Sequence, residues 1–175
     1  MVQTNETTRL AYIGLGGNLG DARHTLTQAL SQLDAAEGVQ VMAVSPFYRS
    51  APVQAEGPDF INAVAQVRTS LPPLALLDVL QAIEQAHHRQ RPYRNAPRTL
   101  DLDLLWHDAQ EMTSTRLVLP HPRMHERAFV LAPLLDLAPH WQLPQGDLAS
   151  LLAACTGQAL ERLDARQTPT RQDSR

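Results

Sequence analysis

Two carboxylates two residues apart, Asp101 and Asp103, lie in the run Ala96-Pro97-Arg98-Thr99-Leu100-Asp101-Leu102-Asp103-Leu104-Leu105-Trp106. Apolar and acidic residues alternate from Leu100 to Leu104, the period of a strand with one buried face. Leu100, Leu102 and Leu104 then point one way and the aspartates the other. Residues two apart on a strand are roughly 6.5–7 Å apart, so two carboxylates can converge on one hard cation or bridge two. Just upstream, Arg89, Arg91, Arg94 and Arg98 share a segment without a single acid, and Pro92 and Pro97 keep it from forming a regular helix. Guanidinium forks beside a two-carboxylate site are what a polyphosphate and its magnesium ions require. The competing account is a half-exposed strand with solvated aspartates behind a solvated basic loop. The adjoining arginines favour the metal and phosphate site.

The rest of the composition narrows the chemistry. All 15 basic side chains are arginine. Without lysine there is no phosphate-binding loop of the G-x-x-x-x-G-K-[ST] type and no lysine Schiff base, so bound phosphate is held by arginine, histidine or backbone. A formal net charge of −3 argues against a broad nucleic-acid or membrane footprint. The lone Cys155 cannot form an internal disulfide. The first ten residues lack the basic and apolar segments of a leader, and no apolar run reaches membrane-spanning length, so the expected location is the cytoplasm. The 175 residues suit one domain, expected over residues 1–155, with a polar, mobile tail over 156–175.

Several elements must position these groups. Residues 9–17 read as a strand entering a glycine turn, and Asp21 N-caps a helix with Leu26, Ala29, Leu30 and Leu33 at helical spacing. Gly14 and Gly16 fit G-x-G, but Leu19 stands where a dinucleotide site needs its third glycine, so tight-turn glycines are the better account. Residues 39–50 read as a second strand with an edge or bulge at Pro46. In a third strand, residues 59–69, Phe60, Asn62, Val64 and Gln66 share one face, and Ile61, Ala63, Ala65 and Val67 form the core face. Phe60 and Asn62 offer an aromatic wall and a two-ended amide for a planar heterocycle, or else a core residue and a strand-end hydrogen bonder. Pro72 and Pro73 open a helix through about His87, and Glu84 lies one turn before the basic loop. Residues 123–137 read as helical with a break at Pro133, and residues 147–154 as a last short helix. Pro122 and the absence of a third ligand argue against a zinc pair of His121 and His125. His121, held between prolines, suits a donor to phosphate. The order β-α-β-β-α-β is that of a split β-α-β fold, α+β class, with an antiparallel sheet.

The chain resembles the 6-hydroxymethyl-7,8-dihydropterin pyrophosphokinase family. The matching runs are Gly16-Gly17-Asn18-Leu19-Gly20-Asp21, Phe47-Tyr48-Arg49-Ser50, Asp59-Phe60-Ile61-Asn62-Ala63, Pro97-Arg98-Thr99-Leu100-Asp101-Leu102-Asp103, Pro120-His121-Pro122-Arg123-Met124 and Arg127-Ala128-Phe129-Val130. The resemblance implies a ferredoxin-like, three-layer α/β/α sandwich that moves a pyrophosphoryl group from ATP to a pterin alcohol in folate biosynthesis and releases AMP. It implies two Mg2+ ions on Asp101 and Asp103. Arg89, Arg91, Arg98, His121 and Arg127 would grip the phosphates, with Arg89 and Arg98 acting in catalysis beside the aspartates. Gln81 and Glu84 would lie near ATP. Phe60 and Phe129 would sandwich the pterin, Asn62 would bond its edge, and Ser50, Ala51 and Val53 would line its pocket. Lids would fall near residues 51–58 and 88–98, and the enzyme would be a monomer serving small molecules.

The chain departs from the family pattern at Asn95-Ala96, where Trp-Gly is usual, with Tyr93 a nearby substitute for the lost aromatic surface. His88 and Gly17 replace a glycine and a serine. Two other readings stay open: a nucleotide- or pterin-binding paralogue with altered transfer, and an RNA-binding module on the same β-α-β order. The second needs basic and aromatic residues where this strand carries Asp101 and Asp103.

Overall fold

A computed structural model describes residues 7–52, 57–87, 99–108 and 110–163 of the chain. Strand β1 (Arg9–Gly17) leads to helix α1 (Ala22–Ala35), whose N-cap Asp21 accepts from the His24 N–H at 3.2 Å. Strands β2 (Val39–Val44) and β3 (Tyr48–Ser50) both pair with β4 (Phe60–Thr69), which runs on to α2 (Pro73–Ala86) and β5 (Asp101–His107). A small hairpin, β6 (Met112–Thr113) and β7 (Val118–Leu119), precedes a 3-10 turn (Met124–Glu126) and α3 (Ala128–Leu137). A second hairpin, β8 (Gln142–Leu143) and β9 (Gly146–Asp147), then α4 (Leu148–Ala154) and β10 (Leu160–Arg162), complete the described chain. The main sheet runs β10-β3-β4-β1-β5, with β2 also on β4, and all its pairings are antiparallel. The class is α+β.

Strand alternation divides the core. Ala63, Ala65 and Val67 of β4 and Ile13 and Leu15 of β1 pack with Leu26 and Leu33 of α1 and Leu76 and Leu80 of α2. The opposite face carries Val64, Tyr12 and Leu105, buried with Val130, Leu131 and Leu134 of α3. Each such leucine contributes about 1.5–3 kcal/mol of burial. Leu102 and Leu104 of β5 face α1 and α2, and Leu105, by alternation, falls under α3. Tyr12 pairs with Trp106 while Ile13 pairs with Leu104, so Leu105 is the extra residue of a bulge that leaves Leu105 and Trp106 on the same side.

Three local expectations are corrected. Residues 39–50 form two strands rather than one, since Pro46 has no N–H for the ladder. Ser45 spans the break: its N–H donates to the Val64 carbonyl and its Oγ accepts from the Val64 N–H, each at 2.9 Å. The bulge falls earlier, between Val41 and Ala43. Helix α3 continues through Pro133 without a break, because the proline withholds one helical bond from a segment whose burial holds it in place. The interruption comes instead at Arg127, extended at φ −113° and ψ 109°.

Strand pairing also continues past residue 155, the expected end of the domain. Leu160–Arg162 pairs with β3, and the Leu163 N–H donates to the Phe47 carbonyl at 2.8 Å. A clasp reinforces this edge: the partly buried Tyr48 hydroxyl and the Arg162 guanidinium both donate to Asp136 of α3. Burial, then the bond to Asp136, pushes the Tyr48 hydroxyl up to about 12, so it stays a donor. Tyr48→Phe should cost about 1–2 kcal/mol, readable in denaturant melts, because Asp136 loses a partly buried donor.

Candidate active site

Directly opposed residues of an antiparallel pair share a face, so the register builds the site. Gly16 pairs with Asp101 on one side and Asn62 on the other, and Gly14 pairs with Asp103 and Val64. Asn62 in turn pairs with Tyr48 of β3. The row Asp101, Gly16, Asn62, Tyr48 therefore projects to the α3 side. Since glycine has no side chain, roughly 9–10 Å of sheet between Asp101 and Asn62, two strand spacings, is open. Both glycines read as turn residues are strand residues; Gly16 clears a floor, whereas Gly14 lies beneath the Leu105 side chain, 3.6 Å from where a Cβ would stand.

A Cβ added at Gly16 would meet Asn62 Oδ1 at 3.1 Å. Gly16→Ala should therefore push the Asn62 amide aside and weaken heterocycle binding by about tenfold, worth about 1.4 kcal/mol. Thermal melts should change less than the Kd from fluorescence titration.

On the β3 side, the buried Asn62 donates from Nδ2 to Ser50 Oγ at 2.7 Å. Ser50, Ala51, Pro52, Ala128, Phe129 and residues 157–160 enclose a cavity of about 190 Å³. Phe60 is the register partner of Ser50 and lies two residues from Asn62 on the same face. The expected residues Ser50, Ala51, Phe60, Asn62 and Phe129 are thus brought together by β3, β4 and the start of α3. The Asn18 side chain, also buried, donates to the Pro58 carbonyl at 3.0 Å and ties the turn after β1 to the approach of β4.

The β5 side carries the charge. Arg127 Nη1 lies 4.0 Å from Asp103 Oδ2, and its guanidinium stands 5.6 Å from the Phe129 ring centroid. His121 docks on the same strand through its N–H, which donates to the Leu105 carbonyl at 2.8 Å. Glu84 is buried on α2, and its Oε2 accepts from the Leu102 N–H at 3.1 Å. It anchors β5 between the two aspartates. Gln81 accepts from Arg116 Nη2 at 3.2 Å; Arg116, in the β6–β7 turn, also meets Asp78 at 2.6 Å. Sequence reasoning missed Arg116, whose only mark is a cation in a polar turn. Val53, Arg89, Arg91 and Arg98 lie outside the described residues, as do His88, Tyr93, Asn95 and Ala96.

Among the described residues no three or more His, Cys, Asp and Glu side chains are grouped to hold a metal ion. Two carboxylates on a glycine-cleared face nonetheless suit Mg2+, which keeps waters and takes substrate phosphates rather than a full protein cage.

Residues 12–139 match the family model described as 7,8-dihydro-6-hydroxymethylpterin-pyrophosphokinase (HPPK). The chain belongs to the HPPK family. It is 47% identical over 154 residues to the 2-amino-4-hydroxy-6-hydroxymethyldihydropteridine pyrophosphokinase of Pseudomonas aeruginosa, covering 87% of this chain and 95% of that one. The enzyme of the same name from Synechocystis is 42% identical, over 77% of this chain and 69% of the relative. The crystal structure of wild-type Plasmodium falciparum HPPK-DHPS matches the fold with a TM-score of 0.67 at 14% identity. That match covers 85% of this chain but 43% of the longer one, so this chain spans less than half of it.

In this HPPK site His121 is held neutral. The Arg123 N–H donates to His121 Nδ1 at 3.1 Å, so the ring proton sits on Nε2. Burial lowers its pKa to about 4, the charges of Arg127 and Arg123 push the same way, and Asp101 opposes them. Between the ordinary value of 6.5 and about 4, the unfolded chain binds a proton that the folded chain refuses, so stability falls as pH drops through that window. His121→Gln should flatten that part of the acid dependence in thermal melts run from about pH 7 to about pH 4.5.

Proposed function

We propose that this chain transfers the pyrophosphoryl group of ATP to the hydroxymethyl group of 6-hydroxymethyl-7,8-dihydropterin, giving AMP and the pterin diphosphate for folate biosynthesis. The observation that carries this is the row across the sheet: an amide and aromatic cavity on one side of Gly16, a carboxylate pair on the other. A heterocycle held between Phe60 and Phe129, with its edge on Asn62, directs its hydroxymethyl arm across the glycine floor toward Asp101 and Asp103. Ser50, Ala51 and Val53 line the pocket.

Asp101 and Asp103 hold two magnesium ions, which when bound neutralise the phosphate charge. Arg89, Arg91, Arg98, His121 and Arg127 grip the phosphates. His121 gives an uncharged Nε2–H and Arg127 a planar cation. Gln81, through its contact with Arg116, and Glu84, through its hold on β5, serve the ATP side. No protein nucleophile is required: the substrate hydroxyl oxygen bonds to the β-phosphorus, the bond from that phosphorus to the oxygen bridging to the α-phosphate breaks, and the hydroxyl proton leaves. The chain supplies position, charge complementarity and exclusion of water.

The two packed sheet faces support reading the α+β fold as a ferredoxin-like, three-layer α/β/α sandwich in a single domain. The open strip of its α3 side carries Asp101 and Asp103, which repel a nucleic-acid backbone, and we read the partners as small molecules. No helix among the described residues is long and apolar enough to cross a membrane. We place the chain in the cytoplasm as a monomer. The test is to incubate the protein with ATP, Mg2+ and the pterin and separate the nucleotides. AMP formed only with pterin present is the expected result. ADP, or AMP without pterin, would overturn the assignment.

A further inference from the structure

Gln158 stands outside every motif that marks the family resemblance, in a segment that composition reads as a polar tail. Its side chain is nevertheless bonded at both ends. Oε1 accepts from the Ala128 N–H at 3.0 Å, and Nε2 donates to the Glu126 carbonyl at 2.9 Å. These are the peptide groups on either side of Arg127. The clamped residue is the one extended position between the 3-10 turn and α3, and no side chain from its own segment caps the helix there. The Ala128 N–H belongs to the first turn of α3, where donors have no intrahelical partner, so the Gln158 amide acts as a cap delivered from 30 residues away.

Arg127 and Phe129 both depend on this joint. The guanidinium faces Asp103 at 4.0 Å and stands over the Phe129 ring, while Gln158 and Phe129 border the same cavity as Ser50 and Ala51. Gln158 is itself held by β10, two residues further along the chain: Leu160 pairs with Ser50, Arg162 with Tyr48, and Arg162 grips Asp136. The strand edge that borders the heterocycle cavity is therefore coupled through one side-chain amide to the cation beside the carboxylates.

We infer that Gln158 is a positioning residue for the transfer reaction, fixing the backbone at Arg127 so that the guanidinium and the Phe129 ring keep their places. The inference rests on the proposed pyrophosphoryl transfer. Misplacing a phosphate-facing group by a fraction of its length costs rate without removing any chemical group.

The experiment is a double-mutant cycle of Gln158→Met, which keeps the side chain's length and loses both hydrogen bonds, with Arg127→Ala, read by AMP formation. In the otherwise wild-type chain, Gln158→Met should lower kcat roughly tenfold or more and weaken pterin binding several-fold. With Arg127 already alanine it should lower kcat by less than about twofold, because the guanidinium it positions is gone, while the several-fold loss of pterin binding through Phe129 persists. A merely structural role gives equal factors in both backgrounds, and that result overturns the inference, as does an unchanged kcat in the single variant. Should Gln158→Met fail to fold, the cycle is run with Gln158→Glu, which retains the acceptor for the Ala128 N–H and loses the donor to Glu126. The same outcomes decide it. A wild-type chain that forms no AMP overturns the proposed function and this inference together, whereas normal wild-type turnover matched by both Gln158 variants overturns the positioning role alone.

Discussion

Asp101→Asn and Asp103→Asn should each reduce AMP formation by about a thousandfold, the scale expected when one preorganised electrostatic group is lost. Asparagine keeps the shape of aspartate and removes its charge, so the change isolates charge from packing. Both residues are partly exposed on a strand whose opposite face, Leu100, Leu102 and Leu104, is buried, and the core therefore does not feel the substitution. Removing one of two like charges roughly 6.5–7 Å apart also relieves repulsion. Asp103→Asn also gives up the ion pair with Arg127, 4.0 Å away, so thermal melts should show both variants within about 1 kcal/mol of the parent chain. Initial rates across a Mg2+ titration are the measurement. Near-normal rates in both variants would leave the carboxylate pair with no part in the reaction.

Arg127→Ala should lower kcat/KM by roughly a hundredfold to a thousandfold. The guanidinium lies between three site groups: Asp103 at 4.0 Å, the Phe129 ring at 5.6 Å, and His121, whose proton affinity it depresses. Arg127→Lys should recover only part of the loss, since an ammonium keeps the charge but not the planar fork that pairs two phosphate oxygens and lies over a ring. Both variants are assayed by steady-state kinetics in ATP and in pterin. Full recovery by lysine would mean that charge alone is used there.

Much of this geometry is legible in the chain because the period-2 alternation is strong. Leu100-Asp101-Leu102-Asp103-Leu104 states which side of β5 is core, and Phe60-Ile61-Asn62-Ala63 does the same for β4. The helices α1 and α2 announce themselves through Asp21 and the Pro72-Pro73 start. The features that stayed hidden depend on tertiary register. Gly14 and Gly16 look like turn residues until β4 and β5 are laid against β1; the clue was their spacing of two, which continues the strand. Leu105 breaks the apolar–acidic alternation because α3 covers its end of the face that Asp101 and Asp103 share. The sequence places Glu84 only one turn before the basic loop, and its burial follows from the need of the Leu102 N–H for an acceptor. Pro133 is read as a helix breaker by propensity, but the buried Val130, Leu131 and Leu134 outweigh one missing bond. Leu160–Arg162 is too short to carry a period at all, and its polar sequence hides both β10 and Gln158.

We propose that the carboxylate pair facing Gly14 and Gly16 is where the β-phosphorus of ATP passes to the pterin. A phosphorus NMR time course of ATP, Mg2+ and 6-hydroxymethyl-7,8-dihydropterin with the parent chain, and with Asp101→Asn combined with Asp103→Asn, tests it most directly. The predicted result is two coupled resonances of a pterin diphosphate growing in step with the single resonance of AMP, and no such growth with the double variant. A pterin monophosphate appearing with ADP, or a pterin diphosphate formed as fast by the double variant, would contradict it.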